Sequence, residues 1–391
     1  MEEILLKIIF IAQSVPKSGV DIKINAQVAN LKKMGLDVNH IIIGNGRQMP
    51  DASVNPEGIP IKTNILNQIK KYYIIYKILC AVISPQQKND IIYIRSLAPN
   101  PFTWIAFQFP RHAKIIIEYQ TIEPYESKLN SQKFRFFLMD FFFGMLIRRK
   151  TDAIVGVTYE ITHYEFKRSG DPKKPHITIG NGFNVESVPL RTSRSFNNTE
   201  LHLLCVANVS IWHGIDRLIK GVSAYHGNIN IRLHIAGEGP EIHNLIDIVQ
   251  ELGISHQVIF HGFLTGQKLD ELFDNCHIAV GSLGIHRKGL HQTSELKARE
   301  YCARGIPYII ACGDPDFPAD FPYILEMPAD ESPIDMEQII AFVPHVCQDT
   351  DHPQKMRHYA LKHLDWSVKM KKTKEFLEDL TNEDDKKQGV S

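Results

Sequence analysis

Two successive arrays of alternating strands and helices, with a polar aperiodic stretch between them, predict an α/β chain. The expected architecture is two Rossmann-like parallel-sheet domains facing a cleft. Three observations carry this expectation. The apolar runs lack a helical or two-residue period, as strands buried on both faces of a parallel sheet do. Helical stretches alternate with these runs along most of the chain. Between them, NGFNVESVPLRTSRSFNNT breaks the alternation, which speaks against a single barrel. With 391 residues the chain can bury two cores.

In order, the first array reads as a strand at 4–12, the turn SVPKSGV, a helix over 21–34 ending at Gly35, and a strand at 37–44. A helix near 65–83, a strand at 90–94, a helix near 101–108 and a strand at 114–119 follow. Residues 133–150, KFRFFLMDFFFGMLIRRK, are apolar nearly all round with basic ends. Such a helix is buried or lies in a membrane interface. Strands at 152–157 and 175–179 close the half. The second array runs strand 201–207, helix 215–225, strand 230–236, a helix to 252, strand 257–260, helix 267–274 and strand 277–281. Helices near 334–342, 352–364 and 366–380 follow. The expected domains are 1–182 and 200–365, with a linker at 183–199 and a disordered tail at 382–391.

Lys+Arg and Asp+Glu stand at 44 each, so no overall field favours nucleic acid. Any phosphate binding has to come from local clusters. The six cysteines show no metal-ligand spacing and read as reduced thiols of a cytoplasmic protein. The apolar start, MEEILLKIIFIAQ, is acidic where a signal peptide is basic. No run reaches the ~18 to 20 apolar residues of a membrane span.

The stretch AVGSLGIHRKGLHQTSELKAREYCARGIPYII (279–310) is the richest in chemistry. It reads as a strand, a basic loop, a helix from about Thr293 to Arg304, and a second strand opened by Gly305 to Pro307. Ligands of open parallel sheets sit at the carboxyl ends of the strands. Thr293 or Ser294 is expected to cap this helix, with Glu295 and Leu296 in its first turn and its N–H groups facing the loop. Arg287, Lys288 and Lys297 stand beside that end, so the junction is an expected anion site. Glu300 follows about two turns on. In the first array, Gly19 permits a tight turn or a close backbone approach to a ligand. The loop QTIEPYES after 114–119 carries Glu118, Glu123, Tyr125 and Glu126, with Glu123 the candidate for handling an acceptor hydroxyl.

With these residues in place, the second half resembles the retaining glycosyltransferases of the GT-B fold, family 4. Gly237-Glu238-Gly239-Pro240 resembles the family's Gly-x-Gly turn. Arg299-Glu300-Tyr-Cys-Ala-Arg-Gly305-Ile-Pro307 resembles the second half of its Glu-seven-residues-Glu helix and strand entry. Asn181-Gly182-Phe183-Asn184 resembles its interdomain Asn-Gly-(Ile/Val)-Asp. The closing helix, 366–381 from Trp366, resembles the one that packs back onto the first domain. The first half matches in its strand–helix order and its Ser18-Gly19 turn. The resemblance implies that Glu300 binds the donor's ribose, and Gln292 stands where the family has its first Glu, at the donor's sugar. Asn208 and His213 occupy the places of the Arg and Lys that grip the diphosphate, so the lost charge is expected to be relocated to Arg287, Lys288 and Lys297.

The function so implied is a retaining glycosyltransferase that moves a sugar from a nucleotide-sugar donor to a glycan or lipid-linked acceptor, as in surface polysaccharide biosynthesis. Its place is the cytoplasm, at the inner face of a membrane with which it makes peripheral contact. No cofactor or metal is expected, because Asp314-Pro-Asp316 lies in a Pro-rich loop and the helix end and basic residues can meet the leaving group's charge. Gln292, His213 and Glu123 are the catalytic candidates. Gly19, Asn208, Gly237, Arg287, Lys288, Ser294, Glu295, Leu296, Lys297 and Glu300 are the donor-binding ones. Gln292 in place of a carboxylate leaves two further readings open: a silent nucleotide-sugar-binding module and a nucleotide-sugar epimerase of the same fold.

Overall fold

The computed structural model describes residues 6–14, 19–44, 65–84, 86, 90–95, 97, 99–126 and 137–388. The chain divides into two compact units, Met1–Ile179 with Lys369–Ser391, and Gly180–Val368. Each is built on one six-stranded, all-parallel sheet.

In the first unit the strands are β1 (Lys7–Ser14), β2 (Asp37–Gly44), β3 (Ile91–Arg95), β4 (Lys114–Tyr119), β5 (Ala153–Gly156) and β6 (His176–Thr178), in the order β2-β1-β3-β4-β5-β6. The continuous Ile-rich runs are buried along their length, as helices on both faces of a parallel sheet require. Glu118 points from β4 into this core. Lys23 (2.9 Å), Gln27 (3.0 Å) and the Tyr93 hydroxyl (2.7 Å) hold it there. Burial alone would raise its pKa, but the Lys23 charge and these hydrogen bonds bring it below the ordinary value. Its role is to bind the helix Gly19–Lys33 to the sheet. The last helix, Trp366–Gln388, reaches the same unit through Lys374, which donates to the Met34 carbonyl (3.0 Å), and through a Leu380 carbonyl that accepts from Lys114.

The second sheet comprises β7 (Glu200–Val206), β8 (Asn230–Ala236), β9 (Val258–Gly262), β10 (Ile278–Val280), β11 (Tyr308–Ile310) and β12 (Ile324–Glu326), in the order β12-β11-β10-β7-β8-β9. From β7 the chain winds outward to β9, then restarts at β10 on the other side of β7. Strand order therefore reverses between β7 and β10. The core joins Leu203, Ile235, Ile278, Val280 and Ile309 to the helix Ile215–Ala224 through Leu218, Ile219 and Val222.

Several elements differ from the sequence expectation. The helix Tyr159–Ser169 and strand β12 were not anticipated. The helix is polar, but Thr158 caps its start by accepting from the Ile161 N–H, and Gly170 ends it at φ 67°. The expected helix at 133–150 is described from 137 and carries a π turn at Asp140–Gly144; 133–136 lie outside the described residues. The segment expected as a linker is docked on the second unit. Val185 and Arg191 are buried, and the Arg191 N–H donates to the Arg304 carbonyl (2.9 Å). The terminal helix continues to Gln388, past the expected start of a tail, and 389–391 lie outside the described residues.

One row of side chains crosses the second sheet. His202 Nδ1 and His234 Nε2 are 3.0 Å apart, His234 Nδ1 and His261 Nε2 are 2.9 Å apart, and His277 Nδ1 accepts from the His202 N–H. Each imidazole–imidazole contact needs one N–H and one lone pair, so the row is built for neutral rings. Burial pushes His234 and His277 down to about 4 and lowers His202 and His261 as well. A histidine depressed on folding costs stability as pH falls through its unfolded value, about 6.5. Stability should therefore drop between about pH 6.5 and about 4, and His234→Gln should reduce that slope by about one proton in urea titrations. Equal slopes in the two proteins would contradict the neutral row.

Candidate functional site

The site is built where the second sheet reverses, at the carboxyl ends of β7 and β10. Loops leaving such a point diverge and leave a crevice. Tyr301, on the helix Leu296–Arg304, pins the two strand ends together: its hydroxyl donates to the Val280 carbonyl (3.1 Å) and accepts from the Val206 N–H (3.3 Å).

The loop after β7 turns through Ala207, Asn208 and Val209 into a short 3₁₀ turn, Ile211–His213. Its backbone is bonded to the loop after β10: the Leu283 N–H donates to the His213 carbonyl (2.9 Å) and the Gly284 N–H to that of Trp212 (3.2 Å). Gly214, at φ 63°, lies where a β-carbon would come within 2.6 Å of the Leu283 carbonyl carbon, so only glycine fits. The loop after β8 closes on the same turn. Gly237 (φ 139°) and Gly239 (φ 148°) sit where a β-carbon would collide with the carbonyl oxygens of Ala207 and Val209.

His213 Nδ1 accepts from the Ser210 N–H (3.0 Å), which leaves the ring proton on Nε2 in the neutral form. The ring is held neutral. Burial first, then the positive charges of Lys297 and Lys288, push its pKa down to about 2. His213 therefore offers an N–H donor beside two ammonium groups. Lys288 Nζ stands 3.9 Å from the centre of the Trp212 ring, a cation–π contact.

The helix Leu296–Arg304 begins about three residues later than expected, with Glu295 as its N-cap and no side chain capping it. Ser294 is drawn away from that role, since its Oγ accepts from the Asn181 N–H (2.7 Å) and its carbonyl accepts from Asn181 Nδ2 (2.5 Å). The uncapped first-turn amides start at Leu296. Beside them lie three buried polar atoms with no hydrogen-bond partner: Lys297 Nζ, Glu295 Oε1 and Ser282 Oγ. Glu295 Oε2 accepts from the Ser282 N–H (3.2 Å) and is 3.6 Å from Lys297 Nζ. Buried polar atoms are nearly always satisfied in folded proteins, so such a cluster marks a place for a polar ligand.

The other candidates fall into different roles. Arg287, expected at a diphosphate, is fully engaged within the protein. It pairs with both carboxylate oxygens of Asp216 (2.8 Å each), with Glu331 (2.7 and 2.9 Å) and with the Ile211 carbonyl (2.7 Å). Hydrogen bonds to Glu331 and Asp216 raise its pKa further. It clamps the β10 loop onto the β7 turn, so the expected anion role is corrected to a structural one. Arg299 is buried against Asp314 and Asp316 and donates to the Asn181 carbonyl (3.0 Å). Glu300 Oε1 accepts from Arg304 Nε (2.8 Å), and Arg304 also pairs with Asp270 (2.6 Å). The Gln292 backbone bridges Gly313 in parallel register, through Thr293 N–H to the Gly313 carbonyl and Gly313 N–H to that of His291 (2.9 Å each). Asn208 is exposed, and its carbonyl accepts from Ser210 Oγ (3.2 Å).

Gly19 and Glu123 belong to the first unit. Gly19 opens the helix Gly19–Lys33, where a β-carbon would meet nothing within 4 Å; Ser18 lies outside the described residues. Glu123 starts the short helix Glu123–Glu126, and its charge acts on Arg95. Ser282 was missed from sequence. Its place two residues after the end of β10 was the available signal.

Residues 189–290 match the family model described as Glycosyl transferases group 1. An uncharacterized glycosyltransferase of Methanocaldococcus jannaschii is 27% identical over 126 residues, which cover 32% of this chain and 31% of that relative's length. Among solved structures, the lipopolysaccharide outer core galactosyltransferase WaaB is similar with a TM-score of 0.63 at 15% identity, covering 96% of this chain and 99% of that one. Sucrose-phosphate synthase of Thermosynechococcus elongatus is similar with a TM-score of 0.65 at 15% identity, over 96% and 99%. HepE of Anabaena in complex with UDP is similar with a TM-score of 0.60 at 13% identity, over 96% and 100%. The fold is that of the GT-B glycosyltransferases, and residues 189–290 of the second unit are similar to the group 1 glycosyltransferase model.

The clamp and the turn yield a stability test. Arg287→Ala strands the partly buried Asp216 and should lower stability by roughly 2 to 4 kcal/mol. Gly237→Ala, strained in both φ and space, should cost at least about 2 kcal/mol. Chemical denaturation of both variants checks this, and unchanged midpoints would contradict the assignment.

Proposed function

We propose that the protein transfers a sugar from a nucleotide-sugar donor to a glycan or lipid-linked acceptor, with retention at the anomeric carbon and without a required metal ion, in surface polysaccharide biosynthesis at the cytoplasmic face of a membrane. The observation that carries this reading is the buried Lys297 ammonium without a hydrogen-bond partner, beside the His213 Nε2–H and the uncapped helix start at Leu296. A diphosphate satisfies all three. That HepE has been seen with UDP and with UDP-glucose, and the pneumococcal transferase GtfA with UDP and GlcNAc, supports a nucleotide sugar as the donor.

The chemistry follows from charge. As the sugar–phosphate bond breaks, the sugar gains oxocarbenium character and negative charge grows on the departing diphosphate. Fixed donors aimed at that charge supply the largest part of such catalysis. Lys297 and Lys288 bring positive charge, the helix start brings N–H groups, and His213 brings a neutral donor. His213 is unsuited to act as a base here, because its Nδ1 lone pair is already used by Ser210. The carboxylates of the Asp-Pro-Asp stretch, Asp314 and Asp316, are partners of Arg299, which favours leaving-group stabilisation by cations of the protein. A diphosphate oxygen on the acceptor's side of the sugar can take the acceptor proton, consistent with retention.

Turnover of nucleotide sugars by the intact protein tests the reading. Lys297→Gln should lower kcat by about 10²-fold or more, with a smaller loss for Lys288→Gln. Glu300→Ala should weaken donor binding chiefly through KM. A product with inverted anomeric configuration, or near-normal rates for Lys297→Gln, would overturn the mechanism; conversion of the donor with no acceptor present would favour an epimerase.

A further inference from the structure

The first unit carries an apolar face that its own core does not use. Most of the exposed large hydrophobic side chains among the described residues lie on or beside three helices of this unit: Ile65–Ile83, Pro101–Ala106 and 137–150. On the third helix, Phe137, Phe141, Met145 and Arg149 follow one another at four-residue spacing and so form one stripe, with Phe142 alongside. The three phenyl rings are 52%, 58% and 57% exposed.

The opposite side of that helix explains why they remain outside. Asp140, at the start of the π turn, is buried and pairs with Arg148 (2.9 Å) and Arg168 (2.7 Å), while Arg148 also binds the buried Glu165. Turning the helix to hide the phenyl stripe would break this buried network. The outward aromatic row is thus fixed by the fold.

Neighbouring rings extend the face. Trp104 meets Phe143 at 6.2 Å between centroids, Phe109 meets Tyr76 at 6.5 Å, and Phe102 meets Tyr73 at 6.3 Å. The charge on the three helices is one-sided. Lys70, Lys77, Arg149 and Lys150 are exposed, and Asp140, their one acidic residue among those described, is buried. In a chain whose charges balance overall, this is a local positive rim around aromatic side chains. Lys77 lies with its Nζ 5.2 Å from the centre of the Tyr73 ring, its stem along the apolar face and its charge at the edge.

We propose that this three-helix face docks on an anionic lipid bilayer. The phenyl rings enter the boundary between headgroups and acyl chains, and the lysines and arginines meet lipid phosphates. The protein lies on the membrane: no helix among the described residues is long and apolar enough to cross it. A second copy of the chain fits this face poorly, because stacking two such faces opposes like charges. The inference does not depend on the proposed transfer reaction, since it is read by binding alone.

Flotation of the full chain with vesicles tests it, using phosphatidylcholine alone and phosphatidylcholine mixed with phosphatidylglycerol. The wild type should float with the anionic vesicles and much less with the neutral ones. The paired change Phe141→Ser with Phe142→Ser should reduce flotation about tenfold or more while its melting temperature stays unchanged, because both rings are already exposed. Arg149→Glu with Lys150→Glu should lose the preference for anionic vesicles. Wild type that stays soluble with anionic vesicles, or a serine variant that floats as wild type does, would overturn the proposal. So would a serine variant that turns a dimer into a monomer in sedimentation velocity without changing flotation, since the face would then join two copies.

Discussion

The reversal of strand order between β7 and β10 is the constraint on which the second unit depends. Two loops leave neighbouring strand ends in opposite directions, and the space between them has to be closed without filling it. Backbone hydrogen bonds from Leu283 and Gly284 to His213 and Trp212 close one side. Gly214 makes that approach sterically possible, and Gly237 and Gly239 let the β8 loop close the other side. The start of the helix Leu296–Arg304 lies beside these loops, with the Ser282 N–H donating to Glu295 Oε2 (3.2 Å). Residues whose small size looks incidental in the sequence thus let the loops meet.

Charge is divided between two tasks around this helix start. Arg287 and Arg299 are each satisfied by two carboxylates, and both act as internal ties, one across the β7 and β10 loops and one between the helix, Asp314, Asp316 and Asn181. Arginine's planar fork suits such multiple pairing. The lysines differ. Lys297 is near a single carboxylate at 3.6 Å, without a hydrogen bond, and Lys288 lies on an indole face. The Lys297 ammonium, held this way, can turn toward an incoming phosphate at little structural cost. The neutral His213 is first a product of its burial, and those ammonium groups further disfavour a third positive charge beside them.

Most strands were legible because a parallel strand buried on both faces is written as an unbroken apolar run, as in KIIIEY and IIYIR. The helix Tyr159–Ser169 escaped because its composition is polar, although Thr158 and Gly170 marked both ends. Strand β12 was hidden by the Pro- and Asp-rich stretch that precedes it. The sequence names Lys297 beside the expected helix start and His213 in the turn after β7, but not the partners that claim Ser294 and Arg287. Ser294 is claimed by Asn181, and Arg287 by Asp216 and Glu331, partners far away in the chain that only the fold brings near. Local capping preference and local charge could not foresee these long-range competitors.

The central claim is that an open anion site lies at the helix start around Lys297. Thermal unfolding of the intact protein with a panel of nucleoside diphosphates, in parallel for wild type and Lys297→Gln, tests it most directly. A ligand that binds only the folded state raises the melting temperature in proportion to its occupancy. The account predicts a rise for wild type with at least one diphosphate, and loss of most of that rise in Lys297→Gln, each protein read against its own melting temperature without ligand, since the substitution also removes the 3.6 Å ion pair with Glu295. Equal rises in the two proteins, or no rise with any diphosphate, would contradict it.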